Sequence, residues 1–227
     1  MNKMNNNMDK KNSVRLFFSE IASGLVQVIK SKYLYIAAGV FMAGVGLNLL
    51  SQIYLHNSMS RGAMFPTLSD LILDRVPVID VAILYDLFCI ILYAIVFIYI
   101  VHRKEYGKIP YILLLGGIFY IIRALFVVLT PMGNPANFNG SDPLFNGFMK
   151  YELGVYPSGH VGNSFLLLLI VSDKIYRYLM FACLLVIIAA LIMTHCHYSI
   201  DILSGFIFSY AIKSFGDRNL SMFSLKE

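Results

Sequence analysis

The sequence predicts an all-α, polytopic membrane protein: a bundle of six transmembrane helices preceded by one amphipathic helix. Three observations predict it. The 227 residues are 58% hydrophobic, with a mean hydropathy of +0.70. Several apolar runs reach the roughly 20 residues that a helix needs to cross a hydrocarbon core. Charged residues, 14% of the chain, sit at the ends of those runs. A net charge of +5 placed this way forms no basic patch interleaved with aromatics, so nucleic acid is excluded as a partner.

The elements follow in order. Residues 1–32 form a polar start and a lead-in helix. Within 12–32, Val14, Leu16, Phe17, Ile21, Leu25, Val28 and Ile29 recur at helical spacing, an interfacial pattern. The Asn- and Lys-rich first residues lack the apolar core of a cleavable signal. The six-helix domain covers 33–216. Its spans are expected at 33–55, 81–101, 109–130, 158–172, 175–193 and 199–215. A polar tail, 217–227, follows. Cys89 and Cys183 fall inside apolar runs as small buried groups, and no disulfide framework is implied.

Orientation comes from the basic residues. Lys3, Lys10, Lys11, Arg15, Lys30 and Lys32 precede the first span. Arg103, Lys104 and Lys108 fill the second–third turn, Lys174 and Arg177 flank the fourth–fifth, and Lys213, Arg218 and Lys226 mark the tail. The alternate loops hold few. The positive-inside rule then makes both termini cytoplasmic. Small size and bare termini favour a bacterial inner membrane over a eukaryotic Golgi or plasma membrane.

Two segments carry chemistry, and this topology sends both to the outer face. In Thr194-His195-Cys196-His197-Tyr198-Ser199-Ile200-Asp201, His197 and Asp201 lie four apart on one helical face. The carboxylate can hold one imidazole nitrogen protonated and leave the other as base or nucleophile. In Pro157-Ser158-Gly159-His160, Ser158 and Gly159 open a helix whose free N–H groups favour an anion such as phosphate. His160 in the first turn can move a proton there. Arg123, inside an apolar run, should face the bundle interior and bind a phosphate oxygen, unless it snorkels or pairs with a loop acid. His195 is open between a structural hydrogen bond and substrate contact. A metal on His195, Cys196, His197 and Asp201 is not expected, because residues two apart on a helix point away from each other. No cofactor is expected.

These residues resemble the second and third motifs of the type 2 phosphatidic acid phosphatase superfamily. Within it, Ser158-Gly159-His160 and His195-Cys196-His197-Tyr198-Ser199-Ile200-Asp201 are most similar to the sphingomyelin synthase family. Pro66-Thr67-Leu68-Ser69-Asp70 resembles that family's Pro-Pro-Leu-Pro-Asp box. Arg123 with Leu129-Thr130-Pro131-Met132-Gly133 resembles its Arg…Thr-Leu-Pro-x-Pro box. The resemblance spans 66–201. It implies that His197, oriented by Asp201, attacks the phosphorus of a phospholipid donor, and that His160 protonates the departing diacylglycerol. A lipid-alcohol acceptor such as ceramide then takes phosphocholine or phosphoethanolamine from the phosphohistidine. Asp70, Glu152 and His195 are implied as substrate contacts beside Arg123, Ser158 and Gly159. The phosphatase branch carries an Arg-Pro box and an Arg six residues before its second catalytic His. This chain has no Arg-Pro pair and has Leu191 at the second position. A phosphatase or phospholipase C-type hydrolase is therefore the alternative, and a non-enzymatic lipid binder the lesser one.

Overall fold

The computed structural model describes residues 19–136 and 156–225. Among these the chain is all-helical. Seven α-helices run α1 (Ser19–Ile29), α2 (Lys32–Ser60), α3 (Ala82–His102), α4 (Ile109–Leu129), α5 (Gly159–Ile170), α6 (Lys174–Met193) and α7 (Ser199–Asn219). Four of them, α2, α3, α4 with its leading 3-10 turn, and α6, are long and apolar enough to cross a membrane.

Local chemistry sets the boundaries. The lead-in helix stops at Ile29, and Ser31 caps α2, accepting from the Tyr33 N–H at 3.3 Å. The expected first span ended at residue 55, but α2 continues to Ser60. Nothing breaks it until Gly62, whose φ of +94° suits glycine. Pro110 sits in the first turn of α4, where its missing N–H costs nothing. Pro131 follows its end. Asp173 caps α6 and accepts from the Ile175 and Tyr176 N–H groups.

The helices form two tight pairs bridged by a third layer. α2 lies along α4, and α3 lies along α6. The first pairing depends on two glycines. A Cβ at Gly44 would meet the Gly117 carbonyl oxygen at 2.4 Å, and one at Gly117 would meet the Phe41 backbone at 2.7 Å. Such backbone approach is a membrane-helix device. α5 runs between the pairs and packs on α7, α6, α4 and α3. One apolar core, including Leu92, Leu184, Ile187 and Leu191, fills the α3–α5–α6 side. A second, including Leu115, Phe119 and Leu166, fills the α2–α4–α5 side.

One end of the bundle is basic and tied by polar contacts. Arg103 pairs with Asp173, His102 Nδ1 is 2.8 Å from the Tyr176 hydroxyl, and Lys108 donates to Ser172 at 3.1 Å. The α3–α4 and α5–α6 turns therefore share an end. Lys104 pairs there with Glu20 of α1 at 2.7 Å, and the Leu225 N–H donates to the Gly107 carbonyl. α1 leaves Leu25, Val26 and Ile29 exposed and buries Val28, as an interfacial helix would.

Candidate active site

The opposite end holds the chemistry. His160, in the first turn of α5, and His197, just before α7, face one another with ring centroids 5.9 Å apart and planes at 69°. The chain brings these turns together through its backbone: the Ser158 N–H donates to the Asp201 carbonyl at 3.0 Å. A Cβ on Gly205 would meet the Gly162 nitrogen at 3.1 Å and the Ser158 carbonyl oxygen at 3.2 Å, so a small residue lets α7 approach α5.

Each imidazole has a carboxylate behind it. His197 Nδ1 is 3.4 Å from Asp201 Oδ2, the i,i+4 pair legible in the sequence. The same oxygen accepts from the Tyr198 N–H at 2.9 Å, so the helix start fixes the carboxylate that orients the ring. Both residues are buried. Burial, the largest influence, lowers the His197 pKa. Asp201 pulls it up, while His160 and Arg123 push it down. The net effect is below the ordinary value of 6.5. A neutral ring with Nδ1 held by Asp201 presents Nε2 as a nucleophile.

The partner of His160 is Asp86, with Oδ1 3.6 Å from Nε2. Asp86 lies in α3 and has no exposed surface. The neighbouring Tyr85 ring makes an edge contact with His160 at 5.1 Å, and the Cys196 thiol donates to the Tyr85 hydroxyl. Asp86 was not among the expected site residues. A signal was available: it interrupts an apolar run just as Arg123 does, and intramembrane charge is functional by default.

Arg123 is buried and faces the bundle interior. Its Nε donates to the Pro157 carbonyl at 2.9 Å, and its Nη1 bonds to the Asn48 side chain of α2. It therefore anchors the turn that presents His160. Gly159 lies against it: a Cβ there would meet Nε at 3.2 Å. Ser158 is the N-cap of α5, accepting from the Val161 N–H at 3.4 Å. Asn48, which had no expected role, fixes the guanidinium from a second helix.

Two expected substrate contacts are engaged elsewhere. Asp70 accepts from the Ser199 N–H at 2.6 Å and from its hydroxyl, and its Oδ1 also takes the Ile72 and Leu73 N–H groups. Burial works to raise its pKa, but these donors outweigh burial and hold the carboxyl below its ordinary value. Asp70 thus braces the start of α7. His195 adopts φ +52°, with ring nitrogens 3.1 Å from the Val76 carbonyl oxygen and 3.2 Å from that of Ala136. Of the two readings left open for it, the structure displays the structural hydrogen bond. Glu152 lies outside the described residues.

No protein-family model matches this chain, and no curated protein matches it.

Proposed function

We propose that this protein is a membrane phosphotransferase. It moves phosphocholine or phosphoethanolamine from a glycerophospholipid to a lipid hydroxyl, such as that of ceramide, through a phosphohistidine on His197. The observation that carries this reading is the facing pair of imidazoles, 5.9 Å between centroids, each with a carboxylate behind it. One ring can attack phosphorus while the other manages the proton of the departing or arriving oxygen. The cation at the site supports a diester over a monoester. Arg123 already spends donors on Pro157 and Asn48, a modest provision for a doubly charged phosphate. The proposal includes the six-span topology, with α5 and α7 as the remaining spans, both termini cytoplasmic and the site toward the periplasm of a bacterial inner membrane.

The test is turnover by purified protein in nanodiscs holding fluorescent phosphatidylcholine or phosphatidylethanolamine and ceramide. Head-group transfer should appear, with an acid-labile phosphoprotein that is absent in His197→Ala. His197→Ala and His160→Ala should each lose on the order of 10²-fold or more in rate. Unchanged turnover in both variants would end the proposal. Water-soluble head-group phosphate as sole product would make the enzyme a phospholipase C. Inorganic phosphate from phosphatidic acid would make it a phosphatase.

A further inference from the structure

The geometry points to Asp86 as the positioning residue of His160, holding that ring as the acid–base partner of His197. This rests on the phosphotransfer reading above. Asp86 lies in the first turns of an apolar helix, where a charged side chain is costly and functional by default. It has no exposed surface, so it acts through a neighbour and not on a lipid. His160 Nε2 is 3.6 Å away. The arrangement repeats on the other side of the site, where Asp201 stands behind His197 Nδ1. The two pairs differ in the ring nitrogen they engage. Asp201 takes Nδ1 of its histidine and leaves Nε2 for phosphorus. Asp86 takes Nε2 of its histidine and leaves Nδ1 to exchange the proton. Tyr85, the residue before, braces the same ring by its edge.

The steps balance. His197 Nε2 forms a bond to phosphorus as the bond from phosphorus to the diacylglycerol oxygen breaks. That oxygen takes the proton from His160 Nδ1, while Nε2–H stays directed at Asp86. In the second half the acceptor hydroxyl gives its proton to His160 Nδ1 and its oxygen bonds to phosphorus. The nitrogen–phosphorus bond breaks, and its electron pair returns to His197. Asp86 keeps its charge throughout, orients the ring and stabilises the imidazolium that begins the first half and is restored by the second.

The experiment compares two donors on full-length protein in nanodiscs. Phosphatidylcholine releases an alkoxide that needs a proton. p-Nitrophenylphosphorylcholine releases a nitrophenolate that does not. Asp86→Asn keeps the shape and removes the charge. It should lower kcat on the lipid on the order of 10²-fold with KM little changed. The single-turnover burst of nitrophenolate, which reports the first half alone, should remain within about tenfold of wild type. His160→Ala should show the same split, and His197→Ala should lose both substrates. Asp86→Glu should recover part of the lipid activity. Equal losses on both donors in Asp86→Asn, or none on the lipid, would overturn the assignment. If the Asn variant does not fold, as judged by size-exclusion chromatography, Asp86→Glu decides. A selective partial loss on the lipid supports the assignment, and an equal loss on both donors overturns it. Wild-type protein inert on both donors would overturn the phosphotransfer reading itself, whereas an active wild type with an unsplit Asp86→Asn overturns only this one.

Discussion

His197 is held neutral by its surroundings, and its chemistry depends on staying so. Burial depresses its pKa below 6.5, and a protonated ring cannot attack phosphorus. The acidic limb of kcat/KM against pH should therefore fall below pH 6.5. The same shift sets a stability slope. As pH drops through 6.5 the unfolded chain takes up a proton that the buried ring refuses, so the folded state loses stability in that window. Melting temperatures in detergent should be flat above that pH and decline below it, and His197→Gln should flatten the decline. Gly159 is a second residue-scale case. Its hydrogen leaves room for Arg123, and Gly159→Ala would push the guanidinium off the Pro157 carbonyl by a few tenths of an ångström. Turnover should drop about tenfold to a hundredfold, since small displacements near reacting atoms are expensive. Melting should change little. At this scale the sequence was informative where partners are near neighbours. His197 and Asp201 are one turn apart, and Ser158 caps the helix that His160 opens. It was silent where they are distant. Asp86 meets a histidine 74 positions later, and Asp70, beside its local donors, takes the Ser199 N–H and hydroxyl 129 positions later.

At the scale of elements, α7 depends on being started correctly. Its first turn carries Asp201, Tyr198 donates to that carboxylate, and Asp70 receives Ser199 from outside the helix. Asp70→Asn removes the charge from that junction while preserving its shape. The loss should be about 1–3 kcal/mol, the range for a hydrogen-bonded charge and a helix cap, read as a lower melting temperature. Activity should fall with it, because the same junction holds His197. The α2–α4 pair makes an independent case. Gly117→Leu places a side chain where the Phe41 backbone lies, 2.7 Å from a Cβ. The helices must part, costing about 1–3 kcal/mol, and the Asn48–Arg123 bond across them should be lost. Asn48→Ala should reproduce the activity loss with less effect on stability. The glycines were visible in the sequence as close-packing candidates. Which helix they would admit was not, because α2 and α4 are not consecutive and only three-dimensional packing pairs them.

Across the whole molecule the two ends divide the work. The basic end gathers α1, the α3–α4 turn, the α5–α6 turn and the Leu225 contact. The other gathers both imidazoles. α5 connects them, and its 12 residues rise about 18 Å. A hydrocarbon core is about 30 Å thick, so in the proposed topology a site that α5 lifts only 18 Å from the basic end would lie below the far rim. α3 and α4 agree: Asp86 lies about 6 Å inside the start of α3, and Arg123 about 9 Å inside the end of α4. The sequence placed the histidines on the outer face from the charge pattern, with the fourth span already short at 158–172. At the depth the proposed topology gives, displaced water would strengthen the carboxylate–imidazole pairs. Cysteine labelling tests the two-ended arrangement in a background with Cys89, Cys183 and Cys196 replaced by Ser. In intact spheroplasts of a bacterial expression host, Met64→Cys, at 93% exposure beyond α2, should react with a membrane-impermeant maleimide. Lys104→Cys should react only after permeabilisation. Ser158→Cys, fully buried at the site, should resist the reagent under both conditions. Labelling of Lys104→Cys in intact cells, or equal labelling of all three positions, would break the link between the charge pattern and the depth of the site.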